Sequence, residues 1–433
     1  MTSKRQVIVV GAGAAGLMAA GQSMAEGSSA RQSWARHSVE TVVLEKMDRP
    51  GVKLRITGQG RCNLTNVDPI REAIEHFAAG GYFVRPALYS FSNEALRAFF
   101  EGLGVPTEVQ RGGRVFPASE DARDVVAALV RWIDEQGVTL RTGSAAARLV
   151  VEGGRVTGVA VADGRVYRGD AVIVATGGAS YPSTGSSGDG YALAASVGHT
   201  IVPIRPALVP LETAGDVAPR LEGLSLRNVN VSVWLDGQKE TEAFGEMVFT
   251  GFGVSGPIIL TLSRGIVDAL HAGHHVTLSI DLKPALDHPT LDDRLLREIE
   301  ASPKRHVQNM LKELLPSKLV PVCADLVGIP AHEPAHRITA EERKRLRLWL
   351  KDFRLAVTDH RPLRHAIVTA GGVDTAEVDP QTMASRVIDG LYFAGEVLDV
   401  DAETGGYNLQ AAFSTGWVAG RAAAEGRGAK GGG

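Results

Sequence analysis

Cysteine is nearly absent: Cys62 and Cys323 are the two in 433 residues. They form neither a CxxC pair nor part of a metal-ligand cluster, and two cannot build a disulfide framework. A reducing, cytoplasmic setting is therefore expected. Net charge is nearly absent as well. A formal charge of −3 offers no field to draw nucleic acid or an anionic membrane, and neither partner is expected. Long apolar runs are missing: none approaches the ~20 residues of a membrane helix. The apolar stretch at residues 7–10 is too short for a secretory h-region. No internal period points to a repeat architecture. The histidines suggest no metal centre; His271, His274 and His275 crowd one short turn and read as solvated. These absences leave an ordinary globular chain, long enough for two or three domains.

Glycine, by contrast, is plentiful. The 50 glycines fall in short groups rather than in a repeat, which marks tight turns and close approaches of backbone to a ligand. The first group is the most telling. Residues 7–10 (VIVV) read as a buried parallel strand, residues 14–25 as an alanine-rich helix, 27–38 as a polar surface loop and 41–45 (TVVLE) as a second buried strand. Between the first strand and the helix stands Gly11-Ala12-Gly13-Ala14-Ala15-Gly16, a GxGxxG. Alone that motif is weak; in a βαβ unit it has a mechanism. Gly11 permits the tight turn, Gly13 lets a pyrophosphate approach the backbone, and Gly16 lets helix pack on strand. The helix N-terminus then presents free N–H groups and partial positive charge to the phosphates. A Gly-rich turn without a ligand is the plainer alternative. Glu45 ends the second strand, where an acid accepts hydrogen bonds from ribose hydroxyls and repels a 2′-phosphate. FAD or NAD is thus expected rather than NADP. Glu45 follows Gly16 by 29 positions, against an expected ~20; the loop at 27–38 accounts for the excess.

Further along, residues 53–66 (KLRITGQGRCNLTN) are dense in small and polar types able to surround a flavin edge or a phosphate. Arg61 is a candidate to face an anionic substrate or a reduced flavin. Cys62 is a candidate reactive thiol, against the plainer reading of a small packed residue. Residues 120–136 look helical, 147–168 read as a hairpin or meander, and 171–175 (AVIVA) as another buried strand. That strand leads into Thr176-Gly177-Gly178, where small residues suit contact with a ligand in the crevice. Tyr181 and Thr184 follow as polar candidates.

Pro203, Pro206 and Pro210 mark a boundary. Residues 204–360 read as an inserted domain, a β part (strands at 228–235 and 275–282) followed by a helical part (291–326 and 340–353). Buried strands resume at 366–369 and 391–394, and a last helix spans about 409–424. The expected fold class is α/β: a discontinuous Rossmann-type domain from 1–203 and 361–425, the insert, and a disordered tail at 426–433. At the C-terminal end, Ala394-Gly395-Glu396 places a carboxylate at the sheet edge, suited to ribityl hydroxyls. Gly405, Gly406 and Asn408 at a helix start, beside Tyr407, suit the negative charge that develops on a flavin ring. An enzyme that binds NAD alone has no need of this second nucleotide-facing segment, so FAD is preferred.

These ends resemble glutathione-reductase-like FAD folds. TAGGV at 369–373 with GLYFAGEV at 390–397 resembles the fumarate reductase and succinate dehydrogenase branch. A nearer likeness is to the aminoacetone-oxidase-like, or BaiN-like, flavoproteins, related to proposed bile-acid enone reductases. It is carried by VVGAGAAGL at 9–17, ITGQGRCNLTN at 56–66, ATGGASYPSTGSSGDGY at 175–191, FTGFGVSGP at 249–257 and AGEVLDVDAETGGYNLQAAFSTG at 394–416. The resemblance implies FAD, an inserted β-barrel-like and helical domain, and redox chemistry on a small organic substrate. The expectation is an FAD-dependent oxidoreductase that passes a hydride between that substrate and flavin N5. The expected cofactor residues are Gly11, Gly13, Gly16, Glu45, Arg61, Gly177, Glu396, Gly406 and Asn408. Cys62, Tyr181 and Tyr407 are the catalytic candidates. No second GxGxxG builds a separate NAD(P)H domain, so a nicotinamide donor would bind only transiently. Two alternatives stand beside this reading. One is a flavin-bearing binding or sensor protein. The other is a flavin-dependent RNA-modifying enzyme, with Arg343, Lys344, Arg345 and Arg347 as a local basic run.

Overall fold

A computed structural model describes residues 4–25, 39–78, 80–301 and 303–429. The expected loop at 27–38 and the last four residues of the expected tail lie outside them. The chain divides into two compact units, residues 1–206 with 366–433, and residues 207–365. Each has its own apolar core.

The first unit is organised by five parallel strands. In spatial order they are Leu391–Phe393, Ala171–Val174, Arg5–Val10, Val39–Leu44 and Thr139–Arg141. Arg5–Val10, here β1, sits in the middle, and Val7 to Val10 are buried on both faces. That accounts for a continuous β-branched run in place of an alternating one. β1 turns into the helix Ala14–Met24, here α1, and returns as Val39–Leu44, here β2, which completes the βαβ unit. The C-terminal helix Tyr407–Glu425 lies along α1 at backbone distance. A Cβ at Gly416 would meet the Ala15 carbonyl oxygen at 2.4 Å, and one at Gly420 the Ala19 carbonyl oxygen at 2.2 Å.

Several elements correct the sequence reading. The strand expected at 366–369 is Val368–Val373, and it pairs with Ile201–Ala207 in a separate two-stranded sheet rather than joining the main one. Residues 65–117 hold helices Ile70–Glu75, Gly81–Ser90 and Asn93–Gly102 and a small sheet of Thr65–Asn66, Arg114–Pro117 and Thr107–Val109. None of these was anticipated. The last helix starts two residues before the expected position 409, capped by Gly406 in the left-handed region.

In the second unit six strands close an antiparallel barrel: Leu211–Thr213, Gly253–Ser255, Gln238–Thr250, Ser225–Leu235, Val276–Asp281 and Phe353–His360. The expected order of a β part followed by a helical part is not the observed one. The helices His288–Ala301, Val307–Leu311, Leu319–Val327 and Ala340–Lys351 intervene before the barrel's closing strand. Phe353, expected at a helix end, opens that strand, because the helix breaks at Asp352. The spacing His332-Glu333-Pro334-Ala335-His336 matches the HExxH of zinc peptidases, a pattern the sequence reading passes over. That chemistry needs a helix to bring both imidazoles to one face. Here Pro334 precedes a short 3₁₀ turn, His336 bonds the Pro303 carbonyl and His332 bonds Gln308.

One buried network in the first unit carries a pH prediction. The His199 ring lies 2.7 Å from Ser385 Oγ through Nε2 and 3.0 Å from Glu377 through Nδ1. Ser385 Oγ already accepts the N–H groups of Val387 and Ile388, so its own hydrogen points to Nε2 and the imidazole is neutral. Burial, opposed by Glu377, holds the His199 pKa below its ordinary value. The unfolded chain then binds a proton that the folded chain refuses. His199 stability is fully present above the unfolded pKa of ~6.5 and is lost as pH falls from there toward the folded value. Denaturant titrations at pH 8 and at pH 5.5 should show weaker folding at the lower pH, and His199→Gln should flatten that difference. An unchanged slope in the variant would remove the assignment.

Candidate functional site

The glycine turn sets the geometry at the end of β1. Gly11 has φ +101°, and a Cβ there would meet the Ala175 carbonyl oxygen at 2.6 Å. A Cβ at Gly16 would meet the Gly11 carbonyl oxygen at 1.9 Å. Both positions exclude any side chain. Gly13 differs: it caps α1 with ordinary φ, and a Cβ there has nothing within 4 Å. The first turn of α1 has no acidic residue and no side-chain cap, so none of the helix's own side chains offsets the partial positive charge there. Glu45 follows directly on β2. One carboxylate oxygen accepts Ala12 N at 2.7 Å and the other Met47 N at 2.8 Å. An ionised carboxylate has about four lone-pair sites, so half of them remain.

The strand Ala171–Val174 ends in Thr176 and Gly177 (φ +72°). Beside it, Glu396 follows the strand Leu391–Phe393. Its Oε1 accepts Thr369 N at 2.8 Å and lies 3.3 Å from Ser180 Oγ; its Oε2 accepts Lys53 Nζ at 2.6 Å and Gly178 N at 3.4 Å. Ser180 Oγ lies equally 3.3 Å from the Ile367 carbonyl oxygen, so its one hydrogen serves either acceptor. Lys53 Nζ also donates to Ser180 Oγ at 2.7 Å, and Thr369 Oγ1 accepts Ala179 N and Ser180 N. Lys53, Ser180 and Thr369 are the site residues that sequence reading missed. All three lie within segments singled out for their small residues, but nothing in the sequence says that they converge.

At the start of the last helix Gly406 has φ +107°, and a Cβ there would meet the Thr65 carbonyl oxygen at 2.4 Å. Asn408 does not offer its side chain to a ligand. Its amide accepts Ala402 N and donates to the Ala402 and Glu403 carbonyls, leaving its backbone N–H at the helix end. Tyr407 is buried, donates its hydroxyl to Asp68 and stacks on His76 with ring centroids 4.3 Å apart. Burial, then the Asp68 bond, push its ionisation up. Its hydroxyl is a committed structural donor, which corrects the catalytic expectation.

Two further expectations meet the same difficulty. Cys62 is fully buried, with φ +62°. Burial pushes its thiol up to about 12, against a smaller opposing bond from Thr57. It is a packed thiol at neutral pH, not a nucleophile. The Arg61 guanidinium bonds Gln110 at 3.2 Å and Glu120 at 3.1 Å and lies 4.5 Å from the Phe116 ring centroid. Its Nη1 is engaged there, in a side chain that is 36% exposed.

Tyr181 remains. It sits at φ +52°, ψ +62°, immediately before Pro182, where sterics disfavour the helical regions. Both sides are pinned: Thr369 Oγ1 holds Ala179 N and Ser180 N, and the Tyr181 carbonyl accepts Thr184 N at 2.9 Å and Thr184 Oγ1 at 2.7 Å. Such strain in a bulky residue persists only where its surroundings impose it.

A family model described as "HI0933-like protein Rossmann domain" matches residues 5–422. Over 419 residues the chain is 35% identical to a 3-dehydro-bile acid delta(4,6)-reductase of Clostridium scindens, covering 96% of this chain and 98% of that protein. It is 30% identical over 413 residues to a ribosomal RNA dihydrouridine synthase of Escherichia coli K12, covering 95% and 96%. Among solved structures, a quinol-fumarate reductase with menaquinol shares the fold with TM-score 0.51 at 18% identity, over 99% of this chain and 72% of that one. A 3-ketosteroid delta1-dehydrogenase from Sterolibacterium denitrificans does so with TM-score 0.50 at 14% identity, over 98% and 100%. The glycine turn, the parallel sheet around it and the match along nearly the whole chain lead to one conclusion: this protein belongs to the HI0933-like family.

Proposed function

We propose that this chain is an FAD-dependent oxidoreductase that passes a hydride between a small organic substrate and flavin N5. The observation that carries the reading is the contrast within the glycine turn: two positions closed to any side chain, and one, Gly13, open toward an uncapped helix N-terminus. A pyrophosphate fits that space and that partial charge. Gly11, Gly13 and Gly16 would hold it, and Glu45 has acceptor sites left for ribose hydroxyls. Gly177 and the backbone N–H groups at Gly406 and Asn408 would line the flavin end. Buried polar atoms without a protein partner, Arg55 Nε and Asn63 Oδ1 in the segment 53–66 and Thr176 Oγ1 beside Gly177, fit a polar cofactor.

When bound, FAD supplies the hydride chemistry. The chain's part is to hold it, to place partial positive charge at the start of the last helix, and to orient the substrate. Tyr181, half-buried and held in its strained turn, is our candidate to meet that substrate and deliver a proton. The names of the two relatives denote reduction of carbon–carbon double bonds, in a 3-dehydro-bile acid and in a uridine of ribosomal RNA. A double bond conjugated to a carbonyl is therefore the substrate class we favour, with NAD(P)H as a transiently bound reductant. Two buried free thiols suit the cytoplasm.

The test is the visible spectrum of the purified protein, then anaerobic addition of NADH and NADPH. The two absorption bands of oxidised flavin are expected, bleached by one of the nicotinamides. Persistence of the bands would move the electron source to an organic donor. A colourless protein that refuses added FAD would end the flavoenzyme reading.

A second reading, RNA modification, has the names of two relatives behind it and one surface feature. Tyr82 and Tyr89 on the helix Gly81–Ser90 are 83% and 51% exposed, with Arg85 set over the Tyr89 ring. Exposed aromatics of this kind can stack on bases. The chain's formal charge of −3 weighs against it, and retention on RNA at physiological salt would be needed to prefer it.

A further inference from the structure

We propose that His271 and His360 form a two-imidazole site for a divalent transition-metal ion of the zinc class, which clips the end of a helix to the closing strand of the barrel. The inference concerns the second unit alone and stands apart from the FAD reading. His271 is the last residue of the helix Pro257–His271, and His360 is the last residue of the strand Phe353–His360. Their Nε2 atoms face each other at 3.2 Å, between rings whose centroids are 5.3 Å apart and whose planes cross at 71°. Two nitrogens on one tetrahedral zinc ion, each bound at about 2.05 Å, stand about 3.3 Å apart. The spacing therefore suits a shared ion as well as a hydrogen bond.

The neighbours prepare one ring for a metal. His360 Nδ1 lies 3.0 Å from the Arg361 carbonyl oxygen. A carbonyl can only accept, so Nδ1 carries the hydrogen, and the neutral ring presents a bare lone pair at Nε2. Ligating histidines are ordinarily oriented in this way, by a carbonyl or carboxylate on the other nitrogen. Without a metal, His271 Nε2 donates its hydrogen to that lone pair. His271 is exposed, so this hydrogen can move through water to its own Nδ1, which leaves two bare Nε2 atoms and no net change in protons. The local field also suits a cation. The C-terminal end of a 15-residue helix carries partial negative charge, and the Asp359 carboxylate lies 4.0 Å from His360 Nε2. The nearby cation, Arg361, is paired with Glu212 at 2.7 Å and held over the Phe252 ring. Two imidazoles with water at the remaining positions select zinc, nickel or copper over magnesium or calcium. Spacing in the sequence hides the pair, because 89 positions separate its members. The same separation gives the clip its effect: an ion held at both ends opposes the opening of a long loop.

The experiment takes the full-length protein, freed of metal with EDTA. It reads Zn2+ affinity by competition with a chromophoric chelator, and thermal unfolding with and without Zn2+. Wild type should bind one equivalent, and its unfolding temperature should rise with Zn2+ concentration but not with Mg2+. Loss of even an outer-shell partner of a metal site weakens binding by about 10- to 100-fold, so His271→Ala and His360→Ala, each alone, should cost at least about tenfold and remove the thermal shift. His275→Ala, in the same turn but outside the pair, should behave as wild type. Should His360→Ala fail to fold, His271→Ala decides alone, since His271 is exposed at a helix end. Wild type without a Zn2+-dependent shift overturns the proposal and leaves the 3.2 Å contact a hydrogen bond. Binding undiminished in His271→Ala overturns it as well.

Discussion

Gly16→Ala is expected to abolish FAD uptake and to destabilise the first unit by about 3 kcal/mol, the upper range for overpacking a closed site. Gly13→Ala is expected to weaken FAD binding and leave folding within about 1 kcal/mol of wild type, because an uncrowded Cβ at a helix cap costs little. The difference is geometric. The new methyl at 16 would stand 1.9 Å from the Gly11 carbonyl oxygen, whereas at 13 it meets nothing within 4 Å. The first clash is with backbone, which cannot swing aside as a side chain could. The second methyl occupies only the space assigned to phosphate. Denaturant titration and FAD titration of both variants separate the effects. Equal loss of stability in the two would show that the space at Gly13 is a packing feature, and would undercut its role with the cofactor.

The second large effect sets local propensity against tertiary contact. Gly420 lies inside the helix Tyr407–Glu425. Helix propensity alone says that Gly420→Ala stabilises by about 1 kcal/mol. The contact says the reverse: a Cβ there would stand 2.2 Å from the Ala19 carbonyl oxygen on α1. Two helices so close cannot separate locally without disturbing Gly416 one turn away, whose Cβ position lies 2.4 Å from the Ala15 carbonyl oxygen. We expect contact to win, with a net loss of about 2 kcal/mol. Chemical denaturation read by near-ultraviolet circular dichroism decides the sign. A stabilised Gly420→Ala would mean that the two helices yield by a few tenths of an ångström more easily than their backbone contact suggests. On the FAD reading, folding and cofactor binding are linked, since α1 carries at its N-terminus the glycine turn proposed to hold phosphate and meets the C-terminal helix along its side.

The sequence by itself determined the local pieces. The glycine turn with its flanking strand and helix, the buried strand 171–174, the acid at Glu45 and the start of the last helix all depend on residues within a few positions of one another. Periodicity, β-branching and glycine's tolerance of positive φ express those directly. Tertiary structure decided what each side chain is free to do. Arg61, Cys62, Tyr407 and Asn408 stand in the right segments. Yet Glu120, burial, Asp68 and the Ala402 turn respectively occupy them. Lys53, Ser180, Thr369 and Glu396 come from four separate stretches of chain, and their convergence depends on the sheet order and not on any spacing. The barrel's closure has the same origin: Phe353–His360 pairs with Leu211–Thr213 across more than a hundred residues. Such a pairing leaves only alternation in each strand and no mark of its partner. Short-range patterns fix backbone conformation, whereas the availability of a donor, an acceptor or a thiol depends on neighbours that only folding supplies.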